Sequence, residues 1–339
     1  MKNLIRKNIK ALSPYSSARD EFTQTADVYL DANENPYDNN LNRYPDPYQK
    51  KVKTLLSTWK GISTSKMLLG NGSDEVLDLI FRAFCEPKED NVILLPPTYG
   101  MYNVLANIND IETIEVGLED DFSPNVESIL KSQNQNSKVL FVCSPNNPTA
   151  NVFNISKVEE LLTEFKGVVV IDEAYIDFAN SESWINRLDE FPNLIVTQTF
   201  SKALGHAGIR LGVAYASEEI IDVLNKIKPP YNVNELTQQK AIEVLEDEKF
   251  TKQIEVIKKE REKLNLALEE LSYVQKIFPS DANFILIRVD DANSIYNQLL
   301  EKGIVVRNRS TQYKCENTLR ISVGTPEENL KLIEMMKTL

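Results

Sequence analysis

The chain has 339 residues, 42% of them hydrophobic, which suffices for the core of one large α/β domain and a smaller companion. Asp and Glu total 50 against 38 Lys and Arg, a net charge of −12 that argues against a nucleic-acid partner and obliges any anionic ligand to find local positive groups. Cys85, Cys143 and Cys315 are scattered without a CxxC pair and His206 is the sole histidine, so reduced core thiols are expected and no metal site.

In chain order, the N-terminus MKNLIRKNIKAL is basic but lacks a continuous apolar core, and no apolar run approaches the ~18 residues of a membrane span. A cytoplasmic protein without a membrane partner is expected. Residues 1–45, rich in Asn, Asp, Pro and Tyr, read as an irregular arm. Helical patterns then alternate with short β-branched runs: the helix GSDEVLDLIFRAFC, the strand NVILL, a helix from Tyr99, the strands IETIEV and KVLFVC, the helix VEELLTEF, and the strands GVVVID, NLIVTQ and LGVAYA. Such alternation predicts an α/β fold, with a mainly parallel sheet buried on both faces, in a large domain spanning 46–225. Beyond Ala216 the pattern turns to long helices. Across 254–271, Ile254, Ile257, Leu264, Leu268 and Leu271 form one stripe interrupted at Arg261, which reads as a core-facing helix. Two strands, NFILIRV and TLRISVG, flank the helix DANSIYNQLLEKG and precede EENLKLIEMMK. They predict a smaller C-terminal α+β domain over 226–339, to which the arm contributes.

Ligands of open α/β sheets bind beyond the carboxyl ends of the strands. KVLFVC runs into SPNNPTAN, GVVVI into DEAYIDF, and NLIVTQTF into SKALGHAGIRLG, so three strand ends deliver an Asn, an Asp with a nearby Tyr, and a Lys with a nearby Arg. Each alone reads as an ordinary turn, helix cap or surface charge. Together they suit pyridoxal phosphate, which requires an amine for its aldehyde, a carboxylate opposite its ring nitrogen, and donors for its phenolate and phosphate.

These residues belong to a longer series: DANENPY, LNRYPDP, GNGSDE, LIFRAFCEP, PPTYGMY, CSPNNPT, DEAYIDF, TFSKALGHAGIRLG and LRISVGT, in that order over nearly the whole chain. In that series the chain resembles the fold-type I pyridoxal-phosphate aminotransferases, and among them the histidinol-phosphate aminotransferases. The resemblance implies that Lys202 binds the cofactor's aldehyde and, once displaced, moves the substrate's proton, work that requires an amine pKa lowered by desolvation and neighbouring cations such as Arg210. It implies that Asp172 pairs with the ring nitrogen, that Asn147 and Tyr175 donate to the ring oxygen, and that Tyr99 stacks on the ring while Tyr102 stays in the core. For the cofactor's phosphate it implies Gly72, Ser73 and Asp74 at a helix start, with Ser201 and Arg210. Tyr44 would reach the phosphate of a neighbouring subunit, making the active unit a homodimer. Arg320 would grip the amino acid's carboxylate, Arg307 the substrate's phosphate, and Tyr15 and Asn33 would line the same pocket; Arg309 is close enough in sequence to compete with Arg307.

Three features depart from the family pattern. Ala150 stands where glycine is common, the segment DNNL after Tyr37 is short, and His206 follows Lys202 by four positions, where a structural histidine is expected. The small residues Ala203, Gly205, Ala207 and Gly208 would let the backbone approach the cofactor. The resemblance implies transamination between the small-molecule donor L-histidinol phosphate and the acceptor 2-oxoglutarate. Alternatives are an aromatic amino acid aminotransferase, a threonine-phosphate decarboxylase, and a non-catalytic module in which Lys202 is a surface charge.

Overall fold

The apolar runs assemble into a seven-stranded sheet in the computed structural model, which describes residues 3–14, 26–247 and 249–339. Its strands are β1 (Met67–Asn71), β2 (Asn91–Leu94), β3 (Glu112–Glu115), β4 (Ser137–Cys143), β5 (Val168–Asp172), β6 (Leu194–Thr199) and β7 (Leu211–Ala216). They lie in the order β1-β7-β6-β5-β4-β2-β3. All neighbours from β6 to β3 are parallel, whereas β7 runs antiparallel to both β6 and β1. The connection Phe200–Arg210 holds no α-helix that could carry the chain across a face of the sheet, so β7 returns beside β6 in the opposite direction. β5, β6 and β7 are buried along their whole length, as two-sided cover by helices predicts. β3 departs from the expected two-sided burial, because it is the last strand of the sheet and both its glutamates face solvent.

The smaller sheet is antiparallel, with order β10-β11-β9-β8, and comprises β8 (Val274–Ile277), β9 (Phe284–Val289), β10 (Arg307–Asn308) and β11 (Thr318–Ser322). The helices Ala292–Glu301 and Pro326–Met336 give it a core with Leu264 and Leu268 of the long helix Lys249–Glu269. That long helix serves both units. Its early residues Phe250 and Ile254 join the core of the larger sheet, and its later residues join the smaller one. Arg261 lies between them, buried, and donates to the carbonyls of Ala282 at 2.8 Å and Phe178 at 3.4 Å. The break in the apolar stripe is thus where the helix changes partners.

The start of the N-terminal arm lies on the larger unit, and further along it Tyr44 stacks on Tyr231, with ring centroids 4.6 Å apart. Leu4, Ile5 and Ile9 pack against the core around the helix Ser73–Phe84, and Arg6 pairs with Glu86 at 3.1 Å. The apolar spacing of LIRKNI is what seats it there. All three cysteines are buried and unpaired among the described residues, and no described helix is long and apolar enough to cross a membrane.

Candidate active site

The topology gathers one set of chain ends on one edge of the large sheet. β4, β5 and β6 are parallel and end there. β7 is antiparallel and therefore begins there, directly after Arg210, and β1, parallel to β6, ends there before Gly72. A cavity of about 440 Å³ opens at this edge, and Lys202, Asp172, Asn147, Tyr175 and Tyr99 line it. Ser73, Asp74, Ser201 and Arg210 complete its wall on the large sheet, and Arg307 and Arg320 reach it from β10 and β11.

Asp172, the last residue of β5, is buried, and desolvation pushes its carboxyl above the usual range. Donors oppose that, foremost the hydroxyl of Tyr102 at 2.7 Å and the backbone N–H of Ala174 at 3.1 Å. Tyr102 is fully buried, stacked on Phe141 with ring centroids 4.8 Å apart. Its place in the core matches the sequence reading, but its contact with Asp172 was missed. The available signal was chemical, since a tyrosine on a buried helical face needs a partner for its hydroxyl.

Lys202 is half-buried, with Nζ 5.6 Å from the ring centroid of Tyr175. Desolvation lowers its pKa first and the Arg320 guanidinium second; Arg210, the cation expected to matter, contributes less. Arg320 donates to Oδ1 of Asn147 and lies over the ring of Phe284, 5.2 Å from its centroid. This fixes the asparagine's orientation, because a guanidinium can only donate, and leaves the amide nitrogen to face other acceptors. Arg309, passed over in favour of Arg307, also lines the cavity.

The helix Ser73–Phe84 begins at the same edge. Its N-cap is Gly72, at φ 79°, with no side-chain cap, and Ser73 is the first helical residue. An uncapped start leaves backbone N–H groups free for an anion. Arg210 extends over it: Nη2 lies 3.5 Å from Asp74, and a Cβ built on Gly72 would stand 2.7 Å from that nitrogen. Tyr99 donates to the other oxygen of Asp74 at 3.2 Å. Gly212 makes the approach possible, since a Cβ there would fall 2.2 Å from the backbone nitrogen of Ser73. By contrast, a Cβ on Gly208 would meet no described atom within 4 Å.

Other expected residues stand elsewhere. Asn33 and Tyr44 line a separate cavity of about 700 Å³ with Leu41, Tyr231 and Leu236, and Tyr15 lies outside the described residues. His206 sits away from the Lys202 cavity, its Nδ1 against the carbonyl of Leu204. Ala150 is buried with φ 68°, a left-handed conformation that glycine adopts without strain.

The family model "Aminotransferase class I and II" matches residues 16–336. The chain is 60% identical to the histidinol-phosphate aminotransferase of Flavobacterium johnsoniae over 340 residues, covering 99% of this chain and 97% of that one. It is 62% identical to the one of Christiangramia forsetii over 339 residues, with the same coverage of each. Among solved structures, the histidinol-phosphate aminotransferase of Clostridium acetobutylicum superposes with a TM-score of 0.81 at 23% identity, over 88% of this chain and 91% of that one. The L-threonine-O-3-phosphate decarboxylase of Porphyromonas gingivalis reaches 0.74 at 22% identity, over 88% and 90%, so the fold-type I architecture is common to both chemistries. The near-complete match to the family model and the identity to full-length relatives establish that the chain belongs to the class I and II aminotransferase family.

Proposed function

We propose that the chain is a pyridoxal-phosphate-dependent aminotransferase that transfers the amino group of L-histidinol phosphate to 2-oxoglutarate in histidine biosynthesis, giving imidazole acetol phosphate and glutamate. One observation carries the choice of substrate: 60% and 62% identity, end to end, to chains bearing that name. The decarboxylase reading rests on fold likeness alone, and the partial burial of Lys202 in a cavity weighs against its being a surface charge.

The donor set fits the cofactor. A half-buried amine with a lowered pKa, a buried carboxylate, an uncapped helix start and an arginine over a glycine cradle are what an aldehyde, a ring nitrogen and a phosphate need. Pyridoxal phosphate, when bound, supplies an aldehyde that takes up the amino group and a ring that draws electrons from the carbon being deprotonated. Lys202 would provide the attacking amine and afterwards hold the substrate's Cα proton on Nζ, a role that its lowered pKa favours. Asp172, oriented by Tyr102 and the Ala174 N–H, would hold the ring nitrogen in its protonated form. Asn147 and Tyr175 would donate to the ring oxygen. Gly72, Ser73 and Asp74, with Ser201 and Arg210, would receive the phosphate, and Tyr99 would cover one face of the ring.

Histidinol phosphate is the phosphate ester of an amino alcohol, so its phosphate occupies the position where glutamate carries its α-carboxylate. Arg320 therefore would meet a phosphate in one half-reaction and a carboxylate in the other, and Arg307 would assist. Tyr15, Asn33 and Tyr44 would complete the pocket in a cytoplasmic homodimer, with Tyr44 crossing between subunits. Titrating purified holoenzyme with histidinol phosphate tests the reading. The cofactor's absorption should change on adding the donor and recover with 2-oxoglutarate, while K202A should do neither. Carbon dioxide release from threonine phosphate, with no response to histidinol phosphate, would establish the decarboxylase instead.

A further inference from the structure

Three arginines converge where β10 meets β11. Arg307 pairs with Arg320 across the two strands. The ladder continues past β10, because the N–H of Arg309 donates to the carbonyl of Thr318 at 2.9 Å. Residues two apart on a strand share a face, so Arg309 stands on the same side as Arg307 and Arg320, and all three line the Lys202 cavity. Like charges directly opposite one another in a sheet are unfavourable, and here a third is added. The acidic groups bearing on them are weak ones, the Cys315 thiol and the Tyr175 hydroxyl on Arg309 and Tyr175 on Arg320, and among the described residues no carboxylate forms an ion pair with either. Arg309 is half-buried, and its Nε is buried without a hydrogen-bond partner among the described residues, a state that calls for an explanation in a guanidinium facing a cavity. Burial first, then Arg320 and Arg307, bring its pKa down to about 10, the mark of a cation crowded by cations.

We infer that Arg309 is a specificity-determining residue: it adds a third guanidinium to the subsite of Arg307 and Arg320 and tunes that subsite to a phosphate dianion over a carboxylate. The inference rests on the proposed use of histidinol phosphate. A carboxylate has two oxygens and one charge and is satisfied by one fork, the one that Arg320 provides. A phosphate monoester has three terminal oxygens and close to two charges, so a further fork has something left to bind. The arrangement settles a conflict built into one pocket with two substrates: glutamate still enters through Arg320, and the phosphate donor gains an additional contact.

The test uses R309Q and R309K holoenzymes, with each half-reaction measured separately. For R309Q, kcat/KM toward histidinol phosphate should fall on the order of 10- to 100-fold, mostly through KM, as for loss of a charge-assisted hydrogen bond. The fall toward glutamate should be at least fivefold smaller. Inorganic phosphate, as a competitive inhibitor of the glutamate half-reaction, should lose affinity to a similar degree, while affinity for the cofactor holds. R309K keeps the charge but not the fork; it should show the same donor-selective sign, and it serves should the glutamine variant misfold. Equal losses for both substrates, a larger loss for glutamate, or an unchanged inhibition constant for phosphate would overturn the assignment. If the wild-type enzyme ignores histidinol phosphate, the proposed function fails, and the phosphate inhibition constants alone still decide the role of Arg309.

Discussion

Lys202 and Glu173 both sit where burial disfavours their charge, and their pH signatures should be opposite in sign. The folded state lowers the Lys202 amine below its ordinary 10.5, so burying the ammonium costs stability at neutral pH. That cost fades as pH rises toward the unfolded value, where both states become neutral. Cofactor-free K202M should therefore have a higher denaturant midpoint than cofactor-free wild type at pH 7, with the gap closing near pH 10. An unchanged gap would mean the amine is not desolvated. Glu173, beside Asp172 in the sequence, accepts from Ser183, from the Trp184 N–H at 2.7 Å and from Gln198 at 2.9 Å, yet its pKa is raised to about 7 by burial. Its raised folded pKa contributes stability below the unfolded value of 4.5 that is lost as pH rises to about 7. Wild type should therefore lose roughly 3 kcal/mol relative to E173Q across that window, read from urea midpoints. Asp172 could be singled out from the sequence because a strand run ends on it. The partner role of Tyr102 could not, since which hydroxyl a buried carboxylate finds depends on how two elements pack.

At the scale of elements, the glycines of one motif part company. Gly212 permits β7 to touch the start of the helix Ser73–Phe84, and the atoms a Cβ would meet are backbone, which cannot swing aside. G212A should push that helix start away from Arg210, lower cofactor affinity by more than tenfold, and cost about 1–3 kcal/mol of stability. G208A, with open space around it, should change neither by a measurable amount. Fluorescence titration of the cofactor and thermal melts compare the two; similar effects in both would mean the helix start is not where the phosphate binds. The central strands were legible because KVLFVC, GVVVI and NLIVTQ are apolar on both faces. β1, β8 and β10 were not: MLLGN is masked by its glycine and by the turn after it, VQKI is largely solvent-facing, and RN is two residues that pair only because β11 is already in place. Register places Arg309 beside Arg307 and Arg320, and register is a property of paired strands.

For the whole molecule, the second cavity raises a question of assembly. Asn33, expected in the substrate pocket, and Tyr44, expected to reach a neighbouring subunit's cofactor, border a hollow to which solvent-facing apolar side chains contribute: Leu41 is 50% exposed, Leu236 60% and Tyr44 51%. Leu30, at 87%, and Tyr37, at 80%, are also exposed in the neighbouring sequence. Burying such side chains is worth about 25 cal/mol per Å², and a stable dimer needs ~1,200 Å² or more in total. A second copy of this chain is the occupant that would also carry Tyr44 toward a cofactor phosphate. L236D, which sets a carboxylate on the exposed start of the helix Glu235–Asp247, should turn a dimer into a monomer at micromolar concentration, as read by sedimentation. The same variant should bind the cofactor weakly, because a monomer has no partner tyrosine. Y44F separates the two effects: it should remain dimeric while cofactor affinity falls by about tenfold, the loss of one hydrogen bond to a charged group. A wild-type chain that sediments as a monomer and holds its cofactor as tightly as Y44F would place both the hollow and Tyr44 outside the catalytic unit.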